Sequence, residues 1–340
     1  MNTLQPLVSI IIPTYNGAKR IVRTLESLVT QDYGNIEIII VDDVSTDNTV
    51  EICQKLLTNS GRQFQIIKRT ENGRQSASRN TGLRAANGKY VIFFDHDDFC
   101  EKNFVSLLCG EAEGENADVV FCGFKDYYEL DDRFHYDVPL KLHKKYSHPE
   151  DYLKAWASRR LNISSVWNFM FSRNFLDKHN IHFIDNCYFG EDTEFTLKAL
   201  AASSHTSLVN SYLYIHAHHK EQQTMKNCFT RHGQNVSRQV RLSRWRAGRY
   251  IIRHVNDNRV KTYTISFHMV IAILKEFTML AEAGDQKNYE RLLRTTKHKK
   301  FHELMLSTYK VMKYEPGLFF KSIMLLYCPK FYYWLRSKTR

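Results

Sequence analysis

Several features are missing from this 340-residue sequence, and each absence removes a class of protein. Its seven cysteines (Cys53, Cys100, Cys109, Cys122, Cys187, Cys228 and Cys328) are an odd, scattered set without a CxxC pair. That spacing suits neither a disulfide framework nor a zinc site, and it points to a reducing compartment. The N-terminal run MNTLQPLVSIII lacks a basic flank, and its apolar part of about six residues is too short for a signal peptide. The most apolar late stretch, 317–335, is interrupted by Lys321, Pro329 and Lys330, whereas a membrane span needs roughly 20 apolar residues. No internal repeat or low-complexity linker is visible. With 43% hydrophobic, 25% charged and 13% aromatic residues, what is there reads as a folded globular chain with room for about two or three packed units.

Acidic residues run short in one region only. The whole chain has 48 Lys and Arg against 36 Asp and Glu, a formal +12 that points to a polyanionic partner: nucleic acid, anionic membrane or a phosphorylated small molecule. From Arg231 to the end, 23 basic residues face 7 acidic ones, so that segment carries +16; residues 1–230 hold 25 against 29 and carry −4. Beyond about Thr230 the pattern is helical, with Val270, Ile273, Leu274, Phe277 and Leu280 at helical spacing. Toward the end, Lys297, Lys299, Lys300, Lys310, Lys313, Lys321 and Lys330 alternate with Phe319, Phe320, Phe331, Tyr332, Tyr333 and Trp334. Such a basic amphipathic segment either docks on an anionic membrane interface or caps the preceding domain with a solvated face.

The first hundred residues alternate β-rich runs with helical spacing. Val8 to Ile12, Ile36 to Val41, Phe64 to Lys68 and Tyr90 to Phe94 are continuous apolar or β-branched runs, as expected of strands buried on both faces. Between them, Ile21, Leu25, Leu28 and Val29, and then Val50, Cys53, Leu56 and Leu57, fall at helical spacing. The second of these helices is opened by Asp47 or Asn48, with Glu51 placed as a capping-box partner. This is βαβα with a parallel sheet, in which ligands bind at the carboxyl ends of the strands. Those ends are polar each time: Pro13-Thr14-Tyr15-Asn16, Asp42-Asp43-Val44-Ser45, Arg69 to Gly73, and Asp95-His96-Asp97-Asp98. Asp118 to Phe124 and Ser164 to Phe171 suggest further strands, and Gly190-Glu191-Asp192-Thr193-Glu194 opens a helix with acids in its first turn.

Asp95 and Asp97 flank one residue at a strand end with no basic neighbour to neutralise them, so they repel each other and favour a bound hard cation such as Mg2+ or Mn2+. Asp42 and Asp43, at the neighbouring strand end, can accept hydrogen bonds from a ribose or base edge. Arg79, near the start of a helix expected over 76–87, can present a cation to a diphosphate. Together these describe a nucleotide-diphosphate site with a divalent ion.

The runs VSIIIPTYN, VDDVSTDNT, ENGRQSASRNTGLRAANGKYVIFFDHDD and GEDTEF, in that order, resemble a family 2 glycosyltransferase of the GT-A fold and the bacterial surface-polysaccharide type. The resemblance covers roughly residues 6–225. It implies a Rossmann-like mixed α/β sheet with flanking helices over 1–228, with a nucleotide-binding half to about 110 and an acceptor half over 111–228. A basic helical extension over 229–340 follows. It further implies inverting transfer of a hexose or N-acetylhexosamine from a nucleotide-sugar, usually a UDP-sugar, to a glycan or lipid-linked hydroxyl, with Mn2+ or Mg2+. Carried onto this sequence, it puts Pro13, Tyr15, Asn16, Asp42 and Asp43 around the nucleotide and Arg79 near the uracil or phosphates. Asp95 and Asp97 become the DxD motif, with Asp97 the direct metal ligand, and Asp192 of the Glu191-Asp192 pair the general base. His96 stands where a small residue is usual. Trp167 is either an acceptor platform or a core residue, and His219, from the cluster His216, His218, His219, is either an extra metal ligand or part of a solvated loop. Gln239 and Arg244-Trp245 lack the Gln-x-x-Arg-Trp spacing of processive synthases, which favours a single-addition enzyme.

Two other readings compete: a nucleic-acid-binding protein working through the basic C-terminal segment, which has no recognisable RNA or DNA module, and a metal-dependent nucleotidyltransferase. The leading expectation is a cytoplasmic enzyme, peripheral on the inner membrane, whose partners are the donor, the acceptor and an anionic lipid surface and include no nucleic acid.

Overall fold

The structure, a computed structural model, describes residues 5–135, 149–157, 165–187, 189–219, 236–295, 299–311 and 316–338. In chain order its first elements are β1 (Val8–Thr14), α1 (Ile21–Val29), β2 (Ile36–Asp42), α2 (Thr49–Thr58), β3 (Gln63–Lys68), α3 (Arg74–Ala85) and β4 (Tyr90–Phe93). There follow β5 (Phe99–Cys100), α4 (Phe104–Glu115), β6 (Val119–Tyr128), β7 (Arg133–His135), α5 (Pro149–Ala157), β8 (Phe169–Ser172), α6 (Arg173–Lys178), α7 (Glu191–Ala202) and β9 (Thr206–His218). The strands form one mixed sheet in the order β3-β2-β1-β4-β8-β6-β9-β5, with β7 beside β6.

β1, β2 and β4 are buried at every position, as their unbroken apolar runs require of parallel strands covered on both faces. One face packs Ile10, Ile12, Ile38, Ile40 and Ile92 with Leu25 and Leu28 of α1. On the other, α3 lies so close to β1 that a Cβ built on Gly82 falls 2.3 Å from Ile11 Cγ2. A Phe93–Phe183–Phe195 cluster, with centroids 4.3 to 5.3 Å apart, fills the space toward α7.

Several details differ from expectation. β3 is an edge strand with alternating exposure rather than one buried on both faces, because only β2 pairs with it among the described residues. The capping box at α2 does not form; Asp47 Oδ1 accepts the Thr49 N–H at 3.1 Å instead. The strand expected from Ser164 shrinks to Phe169–Ser172, since 165–168 turns, with Asn168 donating to the Cys122 carbonyl at 2.7 Å and accepting from the Ser165 hydroxyl. β8 pairs antiparallel to β4 and β6, so the sheet is mixed, parallel from β3 through β4 and again between β6 and β9.

Chain contacts divide the protein into two compact units, Met1–Asp151 with Ser164–Gln223, and Tyr152–Ile163 with Thr224–Arg340. The second unit is helical. After α5 it contains α8 (Val236–His254), α9 (Asn258–Tyr263), α10 (Val270–Glu282), α11 (Gln286–Thr295), α12 (Lys299–Leu306), α13 (Pro316–Tyr327) and α14 (Pro329–Ser337). A π-helical turn over 264–269 joins α9 to α10, so Asn258–Glu282 is a 25-residue helical run, long and apolar enough to cross a membrane by length and composition alone. Within the unit it is core: 71% of its most apolar window is buried, and Val270, Ile273, Phe277 and Leu280 pack on Tyr289, Met305, Leu325 and Tyr332. The same unit leaves Phe320, Tyr327, Phe331 and Trp334 more than half exposed, near Lys321 and Lys330, also exposed. Lys297, Lys313 and Arg340 lie outside the described residues.

Candidate active site

The carboxyl ends of β1, β2 and β4 meet at one sheet edge, and hydrogen bonds between their loops fix the floor of a site. Asn16, in the left-handed region at φ 50°, donates its N–H to Ser45 Oγ at 2.9 Å, and its side-chain oxygen accepts the Thr46 N–H at 2.8 Å. Gly17 N–H reaches Thr49 Oγ1 at 2.8 Å, and a Cβ there would meet the His96 ring at 2.6 Å, so His96 packs closely against the first loop. Thr24 Oγ1 is within bonding distance of the carbonyls of His96 and Asp98, at 2.8 and 2.7 Å, pinning the acidic loop to α1. Pro13 is buried in β1 opposite Val41, and Tyr15 stands 44% exposed.

The two aspartates after β2 have different surroundings. Asp43 accepts the N–H groups of Gly73 and Arg74 at 3.0 and 2.6 Å, with Arg69 Nε 2.9 Å away, so its carboxylate holds the start of α3. Asp42 accepts Ser45 N–H through Oδ2, while its buried Oδ1 has no partner among the described residues.

Helix α3, spelled RQSASRNTGLRA, carries no broad apolar stripe, and its buried face is polar. Ser76 donates to the Cys187 carbonyl at 2.7 Å, and Asn80 exchanges hydrogen bonds with the backbone of Phe183 at 2.9 and 3.0 Å. These bonds fasten the 183–187 segment that leads, through Gly190 at φ 80°, into α7; glycine takes that left-handed conformation without a Cβ penalty. Between them sits Arg79, with 0% exposure. Its Nη1 donates to Asp192 Oδ1 at 2.5 Å, its Nη2 to Asp95 Oδ1 at 2.9 Å, and Glu191 Oε1 lies 3.9 Å off.

One buried cation thus serves three carboxylates from two segments, the loop after β4 and the first turn of α7. Burial alone would lower the Arg79 pKa, but Asp192, Asp95 and Glu191 hold it above its ordinary value and fully charged. Burial pushes Asp192 and Glu191 up: for Asp192 the Arg79 charge opposes this and Asp95 adds to it, and for Glu191 the neighbouring Asp192 adds and Arg79 opposes. The expectation that the DxD acids lack a basic neighbour is therefore corrected. No base is adjacent in sequence, yet the fold brings Arg79 to Asp95 and His219 Nε2 to 2.9 Å from Asp97 Oδ2. Burial would raise Asp97 as well, but the His219 hydrogen bond and nearby His96 bring it down to about 2.

Trp167 is 8% exposed, stacked on Tyr214 at 4.3 Å and on His216 at 5.4 Å, with Phe124 edge-on at 4.8 Å. Residues 220–235, which follow His219, lie outside the described residues. Two participants escaped the sequence reading. Asp98, buried, accepts the Tyr214 hydroxyl at 2.6 Å and Ala217 N–H at 2.8 Å, tying the acidic loop to β9. Asp126 accepts from both His216 and His218. Asp98 could have been suspected as the third acid of its run, whereas nothing local marks Asp126.

Comparison with known proteins agrees with this fold. The sequence description of glycosyl transferase family 2 matches residues 9–189. The uncharacterized glycosyltransferase EpsJ of Bacillus subtilis (strain 168) is 35% identical over 214 residues, which is 62% of this chain and 61% of that protein, less than two thirds of its length. Among solved structures, S. aureus TarS 1-349 in complex with UDP-GlcNAc superposes with TM-score 0.65 at 20% identity, covering 94% of this chain and 92% of that one. The mannosyltransferase PcManGT from Pyrobaculum calidifontis, in complex with GDP-Man and Mn2+, gives 0.54 at 16% identity, covering 96% and 89%. With four polar loops on one sheet edge, a mixed sheet shared with these transferases and a family match over more than half its length, this chain belongs to glycosyl transferase family 2 and has the GT-A fold.

Proposed function

We propose that this protein is an inverting, metal-dependent glycosyltransferase that moves a hexose or N-acetylhexosamine from a UDP-sugar to a hydroxyl of a glycan or lipid-linked acceptor in surface-polysaccharide synthesis. The observation that carries the reading is Arg79, fully buried and bonded to both Asp95 and Asp192. It links a candidate diphosphate-side acid to a candidate base on a different element.

In this reading Asp192 is the base. Its Oδ1 is held by Arg79, so Oδ2 takes the proton of the acceptor hydroxyl as that oxygen bonds to the anomeric carbon. The bond to the diphosphate breaks in the same displacement, its electron pair leaves with UDP, and the configuration inverts. The upward shift of Asp192 brings its basicity nearer neutral pH, where a general base works best. Glu191, 9% exposed, supports the pair electrostatically. Asp97 and His219 fit a divalent ion: a carboxylate and an imidazole face each other, and the buried His219 Nδ1 has no partner among the described residues. That mixed oxygen and nitrogen donor set suits Mn2+ better than Mg2+. When bound, the ion supplies charge stabilisation for the departing diphosphate. Asp95, engaged by Arg79, positions the sugar side with His96. Asp42 Oδ1 is the acceptor for a base or ribose donor, beside Pro13, Tyr15 and Asn16, while Asp43 holds the turn that carries Arg69 and α3. Trp167 backs the acceptor side through Tyr214 and His216.

The basic helical unit, with its exposed aromatics, serves as a peripheral membrane contact on the cytoplasmic side. A screen of UDP-glucose, UDP-galactose and their N-acetyl forms with Mn2+ tests the proposal. UDP release is expected to fall by about 10²- to 10⁴-fold in Asp192→Asn, with donor binding retained by calorimetry. Undiminished turnover in folded Asp192→Asn removes Asp192 as base, and a product carrying nucleotide instead of sugar makes the protein a nucleotidyltransferase.

A further inference from the structure

The register of β6 and β9 sets Asp126 opposite His216 and Tyr128 opposite His218. Asp126 Oδ1 consequently lies 2.9 Å from His216 Nδ1 and 2.7 Å from His218 Nε2. We propose that Asp126, His216 and His218 form a second metal site, for a borderline transition ion of the Zn2+ class, sharing no ligand with Asp95, Asp97 and His219.

The three ligand atoms lie within 4.8 Å of one another. Ligands about 2.1 Å from a tetrahedral ion stand about 3.4 Å apart, so each nitrogen needs to withdraw from the carboxylate oxygen by only a little over half an ångström. The ion takes the place of two ring N–H protons now aimed at Asp126; each moves to the far nitrogen of its ring or, from a doubly protonated ring, to solvent. Neighbouring aromatics already orient both rings. Tyr128 stacks on His218 at 4.5 Å and 10°, and Trp167 on His216 at 5.4 Å and 17°. Such support is what metal-binding histidines need to hold their geometry. Both histidine side chains are 27% exposed, which gives an ion a way in. Two imidazoles and one carboxylate select Zn2+, Co2+ or Ni2+ over Mg2+, and three protein ligands leave at least one coordination position for water or a ligand hydroxyl.

Titration of the full-length, tag-free, chelator-stripped protein with Co2+ tests it, read by visible absorption. The expected result is one equivalent of Co2+ that gives the intense band of a four- or five-coordinate ion and is present equally in Asp97→Ala, displaced by Zn2+ and not by excess Mg2+. Asp126→Asn and His218→Gln, each checked for folding by circular dichroism, are expected to weaken binding by more than about tenfold, while Asp97→Ala keeps band and affinity. A missing band, a band that persists in both Asp126→Asn and His218→Gln, or one lost in Asp97→Ala overturns the proposal. If one variant fails to fold, the other decides.

Discussion

Arg79 determines the electrostatics of the candidate site. A guanidinium with no solvent contact would ordinarily be destabilising, and here three carboxylates compensate. Burial, opposed by the Arg79 charge and helped by Asp95, raises the pKa of Asp192. The sign of the pH dependence follows. A base works deprotonated, so kcat/KM should be full at higher pH and fall as pH drops through the raised pKa of Asp192, giving an acid limb above the ordinary aspartate range. Stopped-time UDP release across pH 4 to 9, roughly, would show it; a limb at or below the usual aspartate value would separate Asp192 from the chemistry. The acids and Arg79 themselves were legible in the sequence, because each follows a strand run or opens a helix. Their pairing was not, since the Arg79–Asp192 bond spans 113 positions and no local pattern encodes it.

Helix α3 works as an element with two committed faces. Gly82 meets β1 on one, and Ser76, Arg79 and Asn80 fasten the approach to α7 on the other. Gly82→Ala would gain up to about 1 kcal/mol of helix propensity. The added methyl, 2.3 Å from Ile11 Cγ2, costs about 1–3 kcal/mol in an already filled core, so net destabilisation is expected. Urea unfolding measures it, and a loss of UDP release larger than the stability change would mark displacement of Arg79. Unchanged stability would mean that α3 is loosely seated. The βαβα half was readable because buried parallel strands leave unbroken apolar runs. β3 was misjudged because an edge strand can carry Ile66 and Ile67 while half its residues face solvent. The β6–β9 register, which sets Asp126 against His216, depends on a long-range alignment with a bulge near Gly123 and leaves no trace in either segment alone.

At the scale of the whole molecule, charge is divided unevenly along the chain. The basic excess belongs to the C-terminal segment, whose helical unit exposes Phe320, Tyr327, Phe331 and Trp334. Sedimentation with vesicles containing anionic phosphatidylserine should therefore retain the protein. Raised salt should release it, at about 1 kcal/mol per near-surface Lys or Arg, and Phe331→Ser with Trp334→Ser should weaken it further. Equal recovery with neutral vesicles, or indifference to salt, would leave the aromatics and lysines without a membrane role. The buried arginine has a consequence of another kind. Its partners come from 16 and 113 positions away, and with no exposure it cannot be inserted once the sheet has closed around it. Contacts of such span cost loop-closure entropy before they repay it, which slows folding. The candidate site thus depends on a completed fold: a chain that has not brought Asp95 and Asp192 to Arg79 leaves the guanidinium without its partners.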